Sequence, residues 1–446
     1  MSSIYLDNAA TSWPKPPNVY RAMNNFARRG GGSAGRSSHR RANAAADMVD
    51  QARADLATLF GIPSERAIVF AENATAALNM AIFGLARPGT QIITSEVEHN
   101  SVRRPLAYLR DRFKCELITV PARADSRWNP EDVMRALSPR VSMVVLGWAN
   151  NVTGAIQAIE PVARSCAARR IPLIVDGAQI AGAYPFDFVD MAFTLFAFTG
   201  HKGLYGPQGT GGLIVSPVVY RDIERLKFGG SGTDSDSELH PEDMPARFEA
   251  GTHNGHGIAG LGAGARWLLQ HGIARVRADE MALWRYFRDG LREIPFVRVY
   301  GPDDAGDSVG IVSITVDDMQ PMDVAFHLDM RRGIQVRAGL HCAPGAHRAI
   351  GTHPAGTVRF SFGAFNDAVQ VDAVLETLAH IREPVPSRTR PPAPVDDEDI
   401  DELMAPVCGE CGERAACYTP AGEAFRCNAH CAHDAGCQSV KREVAP

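Results

Sequence analysis

The chain has 446 residues, 45% of them hydrophobic, with a formal net charge of -5 and both signs interspersed. That balance argues against nucleic acid or an anionic membrane as a partner, because no broad cationic field is available to hold a polyanion. No apolar run reaches the roughly 18–20 residues that span a bilayer. The start, MSSIYLDNAATSWPKP, lacks the basic and apolar regions of a secretory signal, so a cytoplasmic location is expected.

From about residue 60 to 220, short β-branched runs alternate with helical stretches. Strands are predicted at 67–70, 91–94, 116–120, 142–147, 173–175, 194–198 and 212–215, and helices at 74–85, 100–113, 130–137 and 159–169. The third helix has Asn129 as its N-cap and Pro130 at its first position, where a missing N–H costs nothing. The alternation predicts an α/β fold with a mainly parallel sheet covered on both faces, its ligand at the carboxyl ends of the strands. Beyond residue 256 a long helical stretch over 258–292 precedes strands at 310–316 and 357–362, a smaller α/β domain. The expected organisation is an N-terminal segment (1–20) joining the small domain, a large domain (21–256) and the small domain (257–382). A Pro- and acid-rich linker (383–406) and a Cys-rich module (407–446) follow.

The strand-like run TLFAF ends in Thr199-Gly200-His201-Lys202, followed by a glycine-rich turn. A desolvated lysine in such a loop has a lowered pKa and can form a Schiff base. Alone, a lysine in a turn reads as a surface residue. Upstream, however, Asp176 closes the apolar run Leu173-Ile174-Val175. A carboxylate there is costly unless paired; a protonated pyridine nitrogen would pair it and turn the ring into an electron sink.

These segments take their place in an ordered series: YLDNAAT (5–11), GRSSHR (35–40), ENATAALN (72–79), EVEHNS (96–101), NNVTG (150–154), VDGAQ (175–179), TGHK (199–202), RFEAGTHN (247–254), RAGLHCAP (337–344) and VRFSFGAFN (358–366). Over about residues 4 to 382 the chain resembles the class V aminotransferases, pyridoxal-phosphate (PLP) enzymes of fold type I. Within that family it is most similar to group II cysteine desulfurases and selenocysteine lyases. The resemblance implies that Lys202 carries the cofactor and shuttles protons. It implies that His99 stacks on the ring and assists proton transfer, Asp176 pairs with the ring nitrogen and Gln179 meets the phenolic oxygen. Thr75 would hold the phosphate at a helix N-terminus, with Thr199 and His201 completing the cup. Ala74, where relatives often have a second threonine, would offer only its backbone N–H. Thr252 would reach the phosphate of a neighbouring subunit, implying a homodimer. Arg359 would clamp the substrate carboxylate, with Asn151 adding a hydrogen bond.

The discriminating residue for chemistry is Cys342, between Gly339 and Pro344. In desulfurases a loop cysteine takes the sulfur of L-cysteine as a persulfide, L-alanine leaves, and the sulfur passes to a protein or small-molecule acceptor. The attacking form is the thiolate, so a neighbouring cation helps; Arg337 and His341 are candidates, and His341 could equally orient the loop. Desulfurase is the first expectation. A selenocysteine lyase, or a cysteine lyase, epimerase or aminotransferase of the same fold, is the enzyme alternative. A PLP-fold scaffold presenting the tail is the non-enzyme one, disfavoured by the joint presence of Lys202, Asp176, His99, Arg359 and Cys342.

Only Cys115, Cys166 and Cys342 precede residue 400; the other six cysteines run from Cys408 to Cys437. In a reducing compartment they read as metal ligands before disulfides. Cys408 and Cys411, with Cys427 and either His430 or Cys431, suit tetrahedral zinc. An iron–sulfur cluster and a thiol tail that accepts persulfide from Cys342 are the alternatives.

Overall fold

The computed structural model describes residues 3–35, 37–232 and 236–383, all within a unit that runs Met1–Ser387. The Cys-rich module, with Cys408, Cys411, Cys427, His430 and Cys431, lies outside the described residues. Thirteen strands are found among the described residues: β1 Ile4–Tyr5, β2 Ile68–Ala71, β3 Gln91–Ser95, β4 Glu116–Val120, β5 Val141–Gly147, β6 Leu173–Asp176, β7 Leu195–Thr199, β8 Gly211–Val215, β9 Val297–Tyr300, β10 Ile311–Val316, β11 Ile334–Gln335, β12 Arg337–Gly339 and β13 Thr357–Ser361. The helices are α1 Pro17–Asn25, α2 Arg40–Leu59, α3 Ala74–Leu85, α4 Asn100–Phe113, α5 Pro130–Ala136, α6 Ile159–Ala168, α7 Gly255–His271, α8 Ile273–Arg292, α9 Pro321–Arg332, α10 Pro344–Ala349 and α11 Ala368–Ala379.

The larger sheet has the order β2-β8-β7-β6-β5-β3-β4. Strands β3 to β7 run parallel. Strand β8 is antiparallel to both β7 and β2, because the Gly200–Thr210 connection is too short for the helical crossover that a parallel partner requires. That connection carries Lys202. The central strands are apolar on both faces. Val144, Leu146, Leu173, Val175, Phe196 and Phe198 enter one core; Met143, Val145, Ile174, Leu195, Ala197 and Leu213 enter the other. This is why these strands read as continuous apolar runs rather than alternating ones.

The smaller sheet is antiparallel, ordered β12-β13-β10-β9, and has a core of its own that includes Leu6, Trp284, Phe287 and Phe360. At the N-terminus, β1 pairs in parallel with β11 and Asp7 bridges to Ser361. The helical stretch expected over 258–292 is two helices, broken at Gly272, whose φ of +80° suits glycine far better than an L side chain. Ile258, Leu261, Ala265 and Leu268 of α7 pack into the core of the larger sheet, which therefore extends beyond the boundary expected at 256. Among the described residues no helix is long and apolar enough to cross a membrane.

Candidate active site

A cavity of about 320 Å³ opens at the carboxyl ends of β5, β6 and β7, against the N-terminus of α3. Thr75, His99, Asp176, Gln179 and Lys202 line it, as do Ala74, Asn151, Thr199, His201 and Arg337. Residues scattered over some 260 positions of sequence thus meet because parallel strands end on one edge.

Asp176 is the last residue of β6, and Gly177 lets the chain turn there: a Cβ at 177 would come within 2.0 Å of the Phe196 ring. The Asp176 carboxylate accepts the Ala178 N–H at 3.0 Å. Across the cavity, Asn73 caps α3 by accepting the Ala76 N–H at 2.9 Å. Gly211 of β8 makes room for that helix end, since a Cβ would stand 2.8 Å from Asn73 Cα. The helix end brings partial positive charge to Ala74 and Thr75.

Lys202 has its amine lowered to about 8, first by burial and then by the Arg359 and Arg337 cations, which outweigh Asp176 and Asp7. Beside it, the His201 ring is lowered to about 4 by burial, with Lys202 and Lys15 adding to the effect. Its Nδ1 is buried without a partner. Thr199 donates its hydroxyl to Thr210 O at 3.5 Å, and Gln179 donates to Ala9 O at 3.2 Å.

His99 precedes α4, and its Nδ1 accepts the Ser101 N–H at 3.1 Å. That bond places the lone pair on Nδ1 and the proton of the neutral ring on Nε2. The ring's pKa lies below the usual imidazole value because burial outweighs the attraction of Asp176. Ser101 Oγ stands 2.9 Å from the same nitrogen and 2.7 Å from Thr75 Oγ1, linking two residues assigned to separate tasks.

Glu98 went unremarked in the sequence, although it lies within EVEHNS. It is buried, accepts from Ser95 Oγ at 2.6 Å and from the Gly147 N–H at 2.8 Å. Its carboxyl is pushed up to about 8 by burial, with the Asp176 charge adding to the effect. The acid therefore stays largely protonated at neutral pH.

Arg359, on β13, is fully buried. It donates to Asp7 Oδ1 at 2.7 Å and to Asn151 O at 3.0 Å, while its Nε has no partner. The β12–β13 register sets Arg337 directly opposite Arg359, so two guanidinium-bearing residues stand side by side.

Cys342 is exposed, with Sγ 3.6 Å from Arg337. His341 and Cys342 both adopt positive φ, 48° and 60°, a conformation that non-glycine residues hold only when the surroundings over-determine it. Three contacts do so here. Asn151 Nδ2 donates to His341 O at 2.7 Å, the Asn100 N–H donates to Cys342 O at 2.8 Å, and His341 Nε2 lies 3.1 Å from Thr357 Oγ1. Thr357 donates onward to Ser313, and Ser313 to Val152 O, so His341 is the donor at the head of the chain. Burial lowers the His341 ring to about 2; the ring is neutral, and the cation beside the thiol is Arg337. By contrast Cys115 and Cys166 are buried, and burial pushes the Cys166 thiol up to about 12.

Residues 4–374 match the family model described as aminotransferase class-V. The chain belongs to this family. A probable cysteine desulfurase of Methanothermobacter thermautotrophicus is 32% identical over 382 residues, covering 85% of this chain and 94% of the relative. One of Halalkalibacterium halodurans is 31% identical over 85% of this chain and 93% of its own. Among solved structures, apo cysteine desulfurase from Thermococcus onnurineus superposes with a TM-score of 0.80 at 30% identity, covering 85% of this chain and 94% of the other.

The cofactor expected of a class-V aminotransferase, PLP, fits the cavity on three local grounds. An amine of depressed pKa lies within it, the Asp176 side chain ends the neighbouring strand and lines the same cavity, and a helix N-terminus with a hydroxyl and an unpartnered imidazole nitrogen supplies an anion site. Thr252 is elsewhere. It lines a second cavity, of about 310 Å³, with Glu72, Lys227 and His253.

Proposed function

We propose that this protein is a PLP-dependent cysteine desulfurase that converts L-cysteine to L-alanine and holds the released sulfur as a persulfide on Cys342. The observation that carries this reading is the exposed Cys342 thiol beside Arg337, a residue that also lines the Lys202 cavity. Lys202 and Asp176 would hold the cofactor, Gln179 would meet its phenolic oxygen, and Thr75, Ala74, Thr199 and His201 would take its phosphate.

Bound there, PLP supplies an electron sink that weakens bonds at the substrate α-carbon. Arg359, assisted by Arg337, binds the substrate carboxylate. The Lys202 amine, poised near 8, accepts and returns protons close to neutral pH. His99 would cover the ring, with its Nε2 carrying the proton of the neutral imidazole. The Cys342 sulfur, next to Arg337, bonds to the substrate sulfur as the substrate C–S bond breaks; protonation of the freed β-carbon completes L-alanine. His341 orients this loop through Thr357 rather than lending it charge, and Asn151 shares that task.

Thr252 lies outside its own chain's Lys202 cavity, which supports a homodimer in which it completes the partner's phosphate site. The spacing of Cys408, Cys411, Cys427 and either His430 or Cys431 supports a zinc site in the tail, with an iron–sulfur cluster as the rival; metal analysis of reductant-treated protein discriminates them. The deciding experiment incubates the PLP form with L-cysteine and reductant. Alanine with sulfide, lost in Cys342→Ser, is the expected result; pyruvate with ammonia would mean β-elimination instead.

A further inference from the structure

Residues 7–15 form a strap that touches both halves of the site. At one end Asp7 binds Arg359 at 2.7 Å, and Asn8 Nδ2 donates to Ser361 O at 2.9 Å. At the other end the strap meets the backbone of the lysine loop. The His201 carbonyl accepts from the Ser12 N–H at 2.9 Å, from Lys15 Nζ at 2.8 Å and from Thr11 Oγ1 at 3.1 Å. The next carbonyl, that of Lys202, accepts from Ser12 Oγ at 2.9 Å and from the Tyr205 N–H at 2.9 Å. The chain has left the β7 ladder here, and every donor to the His201 carbonyl comes from the strap, while the Lys202 carbonyl shares its strap donor with the Tyr205 N–H.

Lys15 is unusual in this group. Its ammonium is half-buried, and its bonds go to two neutral oxygens, His201 O and Ser12 Oγ, the latter at 2.8 Å. A lysine serving packing alone is better accommodated by a carboxylate or by solvent. Burial lowers Lys15 to about 7, and its charge is one of those that keep His201 neutral.

We infer that Lys15 is a positioning residue of the active site: together with Ser12 it fixes the His201–Lys202 peptide, so that the lysine amine and the His201 ring present a single orientation to the cofactor. This rests on the reading that Lys202 carries PLP. Lys15 itself touches neither cofactor nor substrate, and its effect passes through two backbone carbonyls.

The test uses the full chain, stripped of cofactor and titrated with PLP, with the affinity and the visible circular dichroism of the bound form as readouts and the melting temperature of the stripped protein as a control. Lys15→Met is expected to bind about tenfold more weakly and Ser12→Ala about threefold more weakly, each with an altered visible dichroism and a melting temperature within a few degrees of wild type. The double variant should lose less than the product of the two, because both act on one peptide. Should Lys15→Met fail to fold, Ser12→Ala interrogates the same carbonyls with the loss of a single hydroxyl. Wild-type affinity and dichroism in both variants, or losses that simply multiply, would overturn the inference. Failure of the wild-type chain to take up PLP would instead overturn the function on which it rests.

Discussion

Arg53 and Arg359 are both almost fully buried, at 4% and 1% exposure, yet their surroundings differ in kind. Arg53 forms a two-pronged pair with Glu249, both N···O distances 2.9 Å, also donates to Ile68 O, and lies 4.5 Å over the Phe70 ring. Glu249 in turn accepts the Phe70 N–H. Arg359 has a single bond to Asp7, one to a carbonyl, and an unpartnered Nε, with two further cations, Lys202 and Arg337, close enough to be felt electrostatically. A saturated charge holds architecture in place. An unsaturated one keeps a donor free to bind an anion, at an expense that the rest of the fold offsets.

The contrast can be broken in several places. If Lys202 carries the cofactor and the proton as proposed, Lys202→Ala should lower alanine formation from L-cysteine on the order of 10⁴-fold while the melting temperature of the cofactor-free protein stays level or rises. A large stability loss there would mean that the lysine belongs to the architecture. Glu249→Gln strands the Arg53 charge and should cost about 3 kcal/mol in denaturant unfolding; an unchanged midpoint would erase the distinction between the two arginines. Arg359→Lys should lower kcat/KM for L-cysteine about 100-fold, mainly through KM, because a lysine cannot reproduce the planar fork. Its stability should change little, since Asp7 is only partly buried and can be rehydrated.

The smallest effect concerns Glu98, whose carboxyl titrates near 8 rather than 4.5. The folded protein then holds one more proton than the unfolded chain across that interval, so this group's contribution to stability falls as pH rises from 4.5 to 8. Glu98→Gln should flatten the pH dependence of unfolding over that window by about one proton, as read from denaturant melts at a series of pH values. An unaltered slope would show that Glu98 is ionised in the fold.

Much of the site was legible because its parts are local. Asp176 ends a run that can only be a buried strand, Lys202 lies in a turn rich in glycine, and Cys342 stands between Gly339 and Pro344. The strands and helices of the larger sheet fall within a residue or two of their expected ends for the same reason. The less legible features depend on distance in sequence. Asp7 meets Arg359 only because the N-terminal segment returns to β13, and no periodicity announces that. Nothing local in the sequence shows that the Lys15 amine reaches the His201 carbonyl. Glu98 carries no local sign that burial will hold it protonated.

The sequence by itself thus determined the alternation of strands and helices, the family, and the chemical types at the site, since these reside in short motifs with local physical requirements. Only the tertiary structure decided which charges are shared. Desolvation and Coulomb interactions act through space. The state of Lys202 therefore depends on arginines more than 130 residues away, and the distinction between a structural and a chemical arginine appears only when the partners of each are in place.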